Sequence, residues 1–142
     1  MIMGISSLVF IPLLAIAMVH FIWALGFNYP VKDEKILARS VAGFKGIEKM
    51  PPRFMSFLVG IGVLSAGIWV LAMADPAPNF ILTLGGAVLA LGFFGRGFFG
   101  YTERWAKITP EEPFRTLDKK FYSPLCIFIG AGVLFLVIWR VV

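Results

Sequence analysis

Four stretches of this chain, about Ile5 to Phe27, Phe54 to Met73, Phe80 to Phe99 and Pro124 to Trp139, are almost free of charge and close in length to what a bilayer requires. A hydrocarbon core of about 30 Å takes roughly 20 helical residues at about 1.5 Å each. No water is available there to satisfy backbone groups, and the stretches lack the alternation of barrel strands, so each must be helical. The expected fold is all-α, an integral membrane four-helix bundle in which residues 1–142 form one four-span transmembrane domain. With 59% hydrophobic and 15% charged residues and a mean hydropathy of +0.88, the composition leaves no room for a second, soluble core. Ala15-Ile-Ala17 has the small-x-small form of a signal cleavage site, but no basic segment precedes it and the apolar run continues past Phe21, so the segment reads as a span.

The net charge of +5 is not the footprint of a nucleic-acid binder, because the basic residues form no continuous block. Lys32, Lys35, Arg39, Lys45, Lys49 and Arg53 lie between the first two spans, and Arg104, Lys107, Arg115, Lys119 and Lys120 between the last two. The link Ala74 to Asn79 carries no basic residue. The positive-inside rule therefore predicts two cytoplasmic basic loops and both termini outside, with Arg140 snorkelling to the outer interface.

Helix boundaries are signalled locally. Asn79 reads as an N-cap, Pro51 and Pro52 open the second span, and Ser123 followed by Pro124 reads as an N-cap with proline at the first helical position. Pro12 falls inside the first span. The six-residue outer link predicts that the second and third spans are antiparallel neighbours. Glycine and other small residues, among them Ser56, Gly60, Gly67, Gly86, Ala90, Gly130 and Gly132, predict close helix packing. Ile36, Leu37, Val41, Phe44 and Ile47 suggest a short amphipathic helix in the first loop, and Tyr29, Trp105, Phe121 and Tyr122 suggest an interfacial aromatic belt.

Chemistry-bearing residues are few. His20 lies in the first span on a stripe with Ala17, Ala24 and Phe27, where the simplest role is a hydrogen bond across helices. Arg96 lies one turn from the cytoplasmic end of the third span, where it can snorkel, tie helix ends together through Asp118, or bind an anionic headgroup. One histidine and one cysteine, Cys126, make no zinc, haem or thiolate ligand set, so no metal or cofactor is expected. Gly95 to Gly100 formally repeats the glycine spacing of a dinucleotide loop, but it closes a membrane helix instead of joining a strand to a helix. Glu111 and Glu112 read as solvated charges.

Three segments together carry a resemblance: His20-x-x-Trp23-Ala24-x-Gly26 with Pro30, the helix end Arg96 to Tyr101, and Phe114-Arg-Thr-Leu-Asp-Lys-Lys-Phe-Tyr-Ser-Pro-Leu-Cys126. The chain resembles the small bacterial four-span family known as domain of unknown function 3995, departing from it at Leu117, where a tryptophan often precedes the aspartate, and in the loop Thr102 to Pro113. The resemblance implies a bacterial cytoplasmic (inner) membrane protein and brings no activity with it. Two functional readings follow. One is a non-catalytic interaction or accessory subunit, with membrane lipid and either a second copy or another membrane protein as partner. The other is a binding or transport module, less readily an enzyme, for an amphipathic anionic or quinone-like molecule, built from His20, Trp23, Asn28, Arg96, Tyr101, Asp118 and Tyr122 around one cytoplasmic-side pocket.

Overall fold

The computed structural model describes residues 1–142. It is all-helical, with α1 (Ile2–Ala24), α2 (Glu34–Val41), α3 (Arg53–Ala72), α4 (Phe80–Phe99), α5 (Glu103–Ile108), α6 (Phe114–Leu117), a π-helical turn (Asp118–Tyr122) and α7 (Ser123–Val141). Four long apolar helical runs, α1, α3, α4 and the continuous run from Phe114 to Val141, are compatible with a four-helix membrane bundle. An even number of antiparallel runs puts both termini at one end with the α3–α4 link. We call the opposite end, where both charged loops lie, the loop end.

The helix ends have local causes. Asn79 Oδ1 accepts from the Leu82 amide at 2.9 Å, the expected cap of α4. Helix α1 stops at Ala24, earlier than the apolar run, because Gly26 takes a left-handed φ of 91°. The Phe27 amide then bonds back to the Ile22 carbonyl at 3.2 Å, closing a Schellman-type end. Helix α1 runs unbroken through Pro12. The expectation for Ser123 and Pro124 is corrected: Ser123 is helical and caps nothing, because the helical run has already begun at Phe114.

Packing pairs the helices across their long loops. Helix α1 lies mainly on α3, and α4 mainly on α7. Helices α3 and α4 are neighbours through little more than Trp69 and Met73 set against Gly85 and Gly86, with Trp69 Nε1 donating to the Leu82 carbonyl at 3.0 Å. The six-residue link thus predicts adjacency correctly but not the dominant contacts. Glycines are where the pairs close. Phe10 and Leu13 lie over Gly67, Phe21 over Gly60, Phe94 over Gly130, and Ile127 with the Ser123 carbonyl over Gly97. Between lipid-solvated helices association rests on dispersion at such close approaches.

The buried core is Val9, Leu13, Val70, Met73, Ala90, Ile129, Val133 and Leu136, one cluster to which all four long helices contribute. Most of its members lie between the middle of the bundle and the end nearer the termini. That end is closed by Arg140, which folds back to donate to Thr83 Oγ1 at 3.1 Å and to the carbonyls of Met73, Asp75 and Ala77. Arg140 is therefore a clasp on the C-terminus of α3 and the link that follows it, where unpaired carbonyls attract a guanidinium more strongly than bulk water does.

Two glycines on one helix separate packing from helix propensity. A Cβ on Gly97 would lie 2.6 Å from Ile127 Cγ1 and 3.0 Å from the Ser123 carbonyl, whereas one on Gly92 meets nothing within 4 Å. Gly97→Ala is expected to destabilise by about 1–3 kcal/mol, and Gly92→Ala, with the same propensity gain, to be neutral or stabilising. Thermal unfolding in mild detergent, followed by intrinsic tryptophan fluorescence, checks both.

Candidate functional site

At the loop end the apolar core gives way to a polar network. Asp118 is 2% exposed, and both its oxygens are occupied. Oδ1 accepts from Arg96 Nη2 at 2.7 Å and from Ser123 Oγ at 3.2 Å, and Oδ2 accepts from Trp105 Nε1 at 2.9 Å. The Arg96 guanidinium also lies 4.9 Å over the Trp105 ring. A carboxylate this buried is tolerated because a cation and two further donors take its lone pairs. Arg96 is a third exposed, and its Nη1 also donates to Ser123 Oγ at 3.5 Å.

Local structure brings these groups together. Arg96 comes from the last turn of α4, Trp105 from α5, which Thr102 caps by accepting from the Trp105 amide at 3.2 Å, and Asp118 and Ser123 from either end of the π-helical turn. In that turn the Ser123 amide reaches the Asp118 carbonyl, five residues back. The same register would send the next amide to the Lys119 carbonyl, but Pro124 has no N–H. The Tyr101 hydroxyl donates to Lys119 O at 3.1 Å instead. Gly100 is required beside it, since a Cβ there would fall on the Ser123 hydroxyl.

A second layer ties the two loops into one cap. The Tyr122 hydroxyl donates to the Ser40 carbonyl at 3.0 Å, the Glu111 amide donates to Gly43 O at 3.2 Å, and the Lys45 amide donates to Ile108 O at 3.3 Å. Glu111 Oε1 accepts from the Gly46 amide at 2.8 Å, while Oε2 lies 3.5 Å from Arg39 Nε. Glu112 accepts from the Thr116 amide and hydroxyl. The reading of Glu111 as a solvated charge is therefore corrected, since it is partly buried and bonds the Gly46 amide, whereas Glu112 stays exposed while accepting from the first turn of α6. Helix α2, capped by Asp33 accepting from the Ile36 amide at 2.9 Å, buries Leu37 and Ala38 and packs on α6. Its inner face serves the cap, and of the apolar residues in this segment only Ile36 and the following Phe44 stay exposed. The Lys35 ammonium, 2.6 Å from Glu48, holds that exposed carboxyl below its usual value; the benefit fades as pH falls, and screening by water keeps it small.

The seven predicted residues divide into two groups. Arg96, Asp118, Tyr101 and Tyr122 meet at the π-helical turn. His20, Trp23 and Asn28 belong to the end of α1, and no hydrogen bond, ion pair or ring contact joins them to the other four. His20 Nδ1 lies 2.8 Å from the carbonyl of Ile16 on its own helix, so the proton is assigned to Nδ1 and the expected cross-helix bond is not made. Its ring stands edge-on to Trp23, with centroids 4.9 Å apart. Trp23 Nε1 donates to Tyr29 O at 2.7 Å, and Asn28 Nδ2 to Lys32 O at 3.2 Å. Trp23 and Asn28 line a hollow with Glu34 and Arg53 that does not include Arg96, Asp118 or His20.

Trp105, Ser123 and Glu111 were not singled out as site residues, and Trp105 and Tyr122 turn inward instead of joining an aromatic belt. Phe99, Trp105, Phe114 and Tyr122 form successive ring contacts at 5.5, 6.3 and 5.7 Å. Only Tyr29 and Phe121 of the expected belt are exposed. A usable signal was the five-residue spacing of Asp118 and Ser123 ahead of Pro124, which suits a widened turn.

A family described as "Protein of unknown function (DUF3995)" matches residues 13–133, most of the chain. No curated protein and no solved structure matches it.

Removing one partner of the ion pair is expected to cost more than removing both. Asp118→Leu leaves Arg96 half-buried and unpaired and should destabilise by about 3 kcal/mol, the low end for such pairs because Arg96 can turn to the interface. Arg96→Leu combined with Asp118→Leu should recover part of that loss. Thermal unfolding in detergent, with trypsin cleavage at Lys119 and Lys120 reporting local opening, measures both effects.

Proposed function

The chain belongs to the DUF3995 family of proteins of unknown function, and from that premise we propose that it is a non-catalytic interaction or accessory subunit that presents its loop cap to a membrane protein partner. The observation that carries this reading is the state of the polar groups at the loop end. Asp118 is held by three donors, Tyr122 and Glu111 are committed to joining the loops, and the outward face carries more cations than carboxylates, with Asp33, Glu34, Glu48, Glu103 and Glu112 exposed among them. Lys32, Lys45, Lys49, Arg104, Lys107, Lys119 and Lys120 are exposed and enter no ion pair. General acid–base work needs a group free to exchange a proton with a substrate, and the most buried carboxylate here is held in a fixed pattern of bonds. An ordered, cation-rich surface suits an acidic partner segment, since complementary charge steers encounter and fixes register.

The cap lies on the cytoplasmic side in this reading, and the membrane is the cytoplasmic membrane of a bacterium. The excess of lysine and arginine in both loops supports the orientation, because such segments are retained on the cytoplasmic side during insertion. The family resemblance supports the source.

Two measurements test the proposal. Affinity purification in mild detergent is expected to recover a stoichiometric polypeptide partner with the native chain and to lose it when Lys119→Glu and Lys120→Glu are combined; a native chain that runs alone would sink the reading. A reporter active only outside the cytoplasm, fused after Val142, is expected to be active.

A further inference from the structure

Two adjoining hollows open at the loop end of the α1–α3 pair, and Arg53 lines both. One, of about 270 Å³, is polar in character, walled by Trp23, Asn28, Glu34 and Arg53. The other, of about 330 Å³, is apolar and walled by Phe21, Leu25, Phe54 and Phe57 beside the same arginine. A charged hollow opening onto an oily groove at the edge of a membrane span has the shape of an amphipath: a head on one side of Arg53, a chain on the other.

The surroundings of Arg53 favour a ligand over a structural role. Its guanidinium lies against Gly26, whose left-handed backbone and missing Cβ make the approach possible; any side chain there would overlap the guanidinium. Yet Arg53 enters none of the ion pairs that tie Lys35, Arg39 and Arg96 to carboxylates, and its side chain donates to no protein acceptor. A guanidinium offers a planar fork of donors that fits a phosphodiester. Glu34 supplies the opposite sign in the same hollow. One of its oxygens accepts from the Met50 amide at 3.1 Å, leaving the other without a protein partner. One cation and one anion make the hollow neutral, which suits a zwitterionic head better than a net-negative one, and Trp23 adds an aromatic wall that an ammonium group can approach.

We infer that these two hollows form a binding site for one membrane phospholipid with an ethanolamine head, the phosphodiester on Arg53, the ammonium on Glu34, and an acyl chain along Phe21, Leu25, Phe54 and Phe57. The site is independent of the cap proposed to bind a partner protein, since none of those four wall residues belongs to the Asp118 network.

Native mass spectrometry of the chain released from nanodiscs containing equal amounts of phosphatidylethanolamine and phosphatidylglycerol tests this. The expected result is one retained phospholipid per chain, predominantly phosphatidylethanolamine. Arg53→Gln is expected to reduce the lipid-bound fraction about tenfold or more, the loss of a charge-assisted contact. Glu34→Gln should retain lipid but abolish the headgroup preference, and Lys45→Gln, an exposed loop cation outside both hollows, should change neither. Arg53 is an exposed residue in the first turn of α3, so its variant is expected to unfold at the native temperature. Excess soluble phosphoethanolamine should not displace the lipid, because it lacks the chain that fills the groove. Absence of retained lipid, preference for phosphatidylglycerol, or equal retention by Arg53→Gln would overturn the inference.

Discussion

A buried carboxylate at the edge of a membrane bundle needs a cation and further donors on both its oxygens, and Asp118 has them in Arg96, Ser123 and Trp105. The requirement organises the loop end. Arg96 must leave α4 one turn before its end, Gly100 must lack a side chain, α5 must present an indole N–H, and the chain before α7 must widen into a π-helical turn. None of these features is strongly favoured alone. Together they are the arrangement in which the charge is satisfied, and a partly satisfied version would be worse than an apolar one.

The bundle is thus held by two different kinds of force at its two ends. Toward the termini, eight apolar side chains from all four long helices make a close-packed cluster, while close contacts over glycines run along both the α1–α3 and the α4–α7 pair. Toward the loops, directional bonds are added: the ion pair, the Tyr101 hydroxyl standing in for the missing amide of Pro124, and the bonds through Tyr122 and Glu111 that join loops from different helical pairs. Since α1 pairs mainly with α3 and α4 with α7, the cross-loop bonds also link the two pairs where the apolar cluster does not reach.

The spans were legible because hydropathy reports a partition free energy, and in a bilayer that energy decides which segments cross. The Asn79 cap and the association of Arg96 with Asp118 were legible because each is local in kind: a short polar side chain before an apolar run, and an arginine at membrane depth that needs an anion. What was missed depends on the third dimension. Ser123 before Pro124 has the form of a helix start, and only the extension back to Phe114 shows that the proline lies inside a helical run. Trp105 and Tyr122 have the composition of an interfacial belt, and no pattern along the chain says which ring turns inward to an aspartate or a distant carbonyl. Arg140 offered only a cation near a chain end; its four acceptors come from Thr83 and from carbonyls near the α3–α4 link, far away in sequence. The seven residues grouped around one pocket fall into two clusters for a related reason. Shared depth in a membrane does not imply a shared neighbour, and α1 and α4 belong to different pairs.

The surface left over follows from the same division. Between 17% and 33% of the most apolar window of each span is buried, so most span side chains meet lipid or a partner, which in a bilayer carries no hydrophobic penalty. Large apolar exposure therefore says little about where a ligand sits. Position-specific information lies at the loop end, where a polar group must choose between protein, headgroup and water. There the cations differ: Arg96 is committed to Asp118, Arg39 to Glu111 and Lys35 to Glu48, while Arg53 rests on a glycine between a charged hollow and an oily one without a carboxylate of its own. The cation that the fold positions but leaves unpaired is the one whose partner is best sought outside the polypeptide.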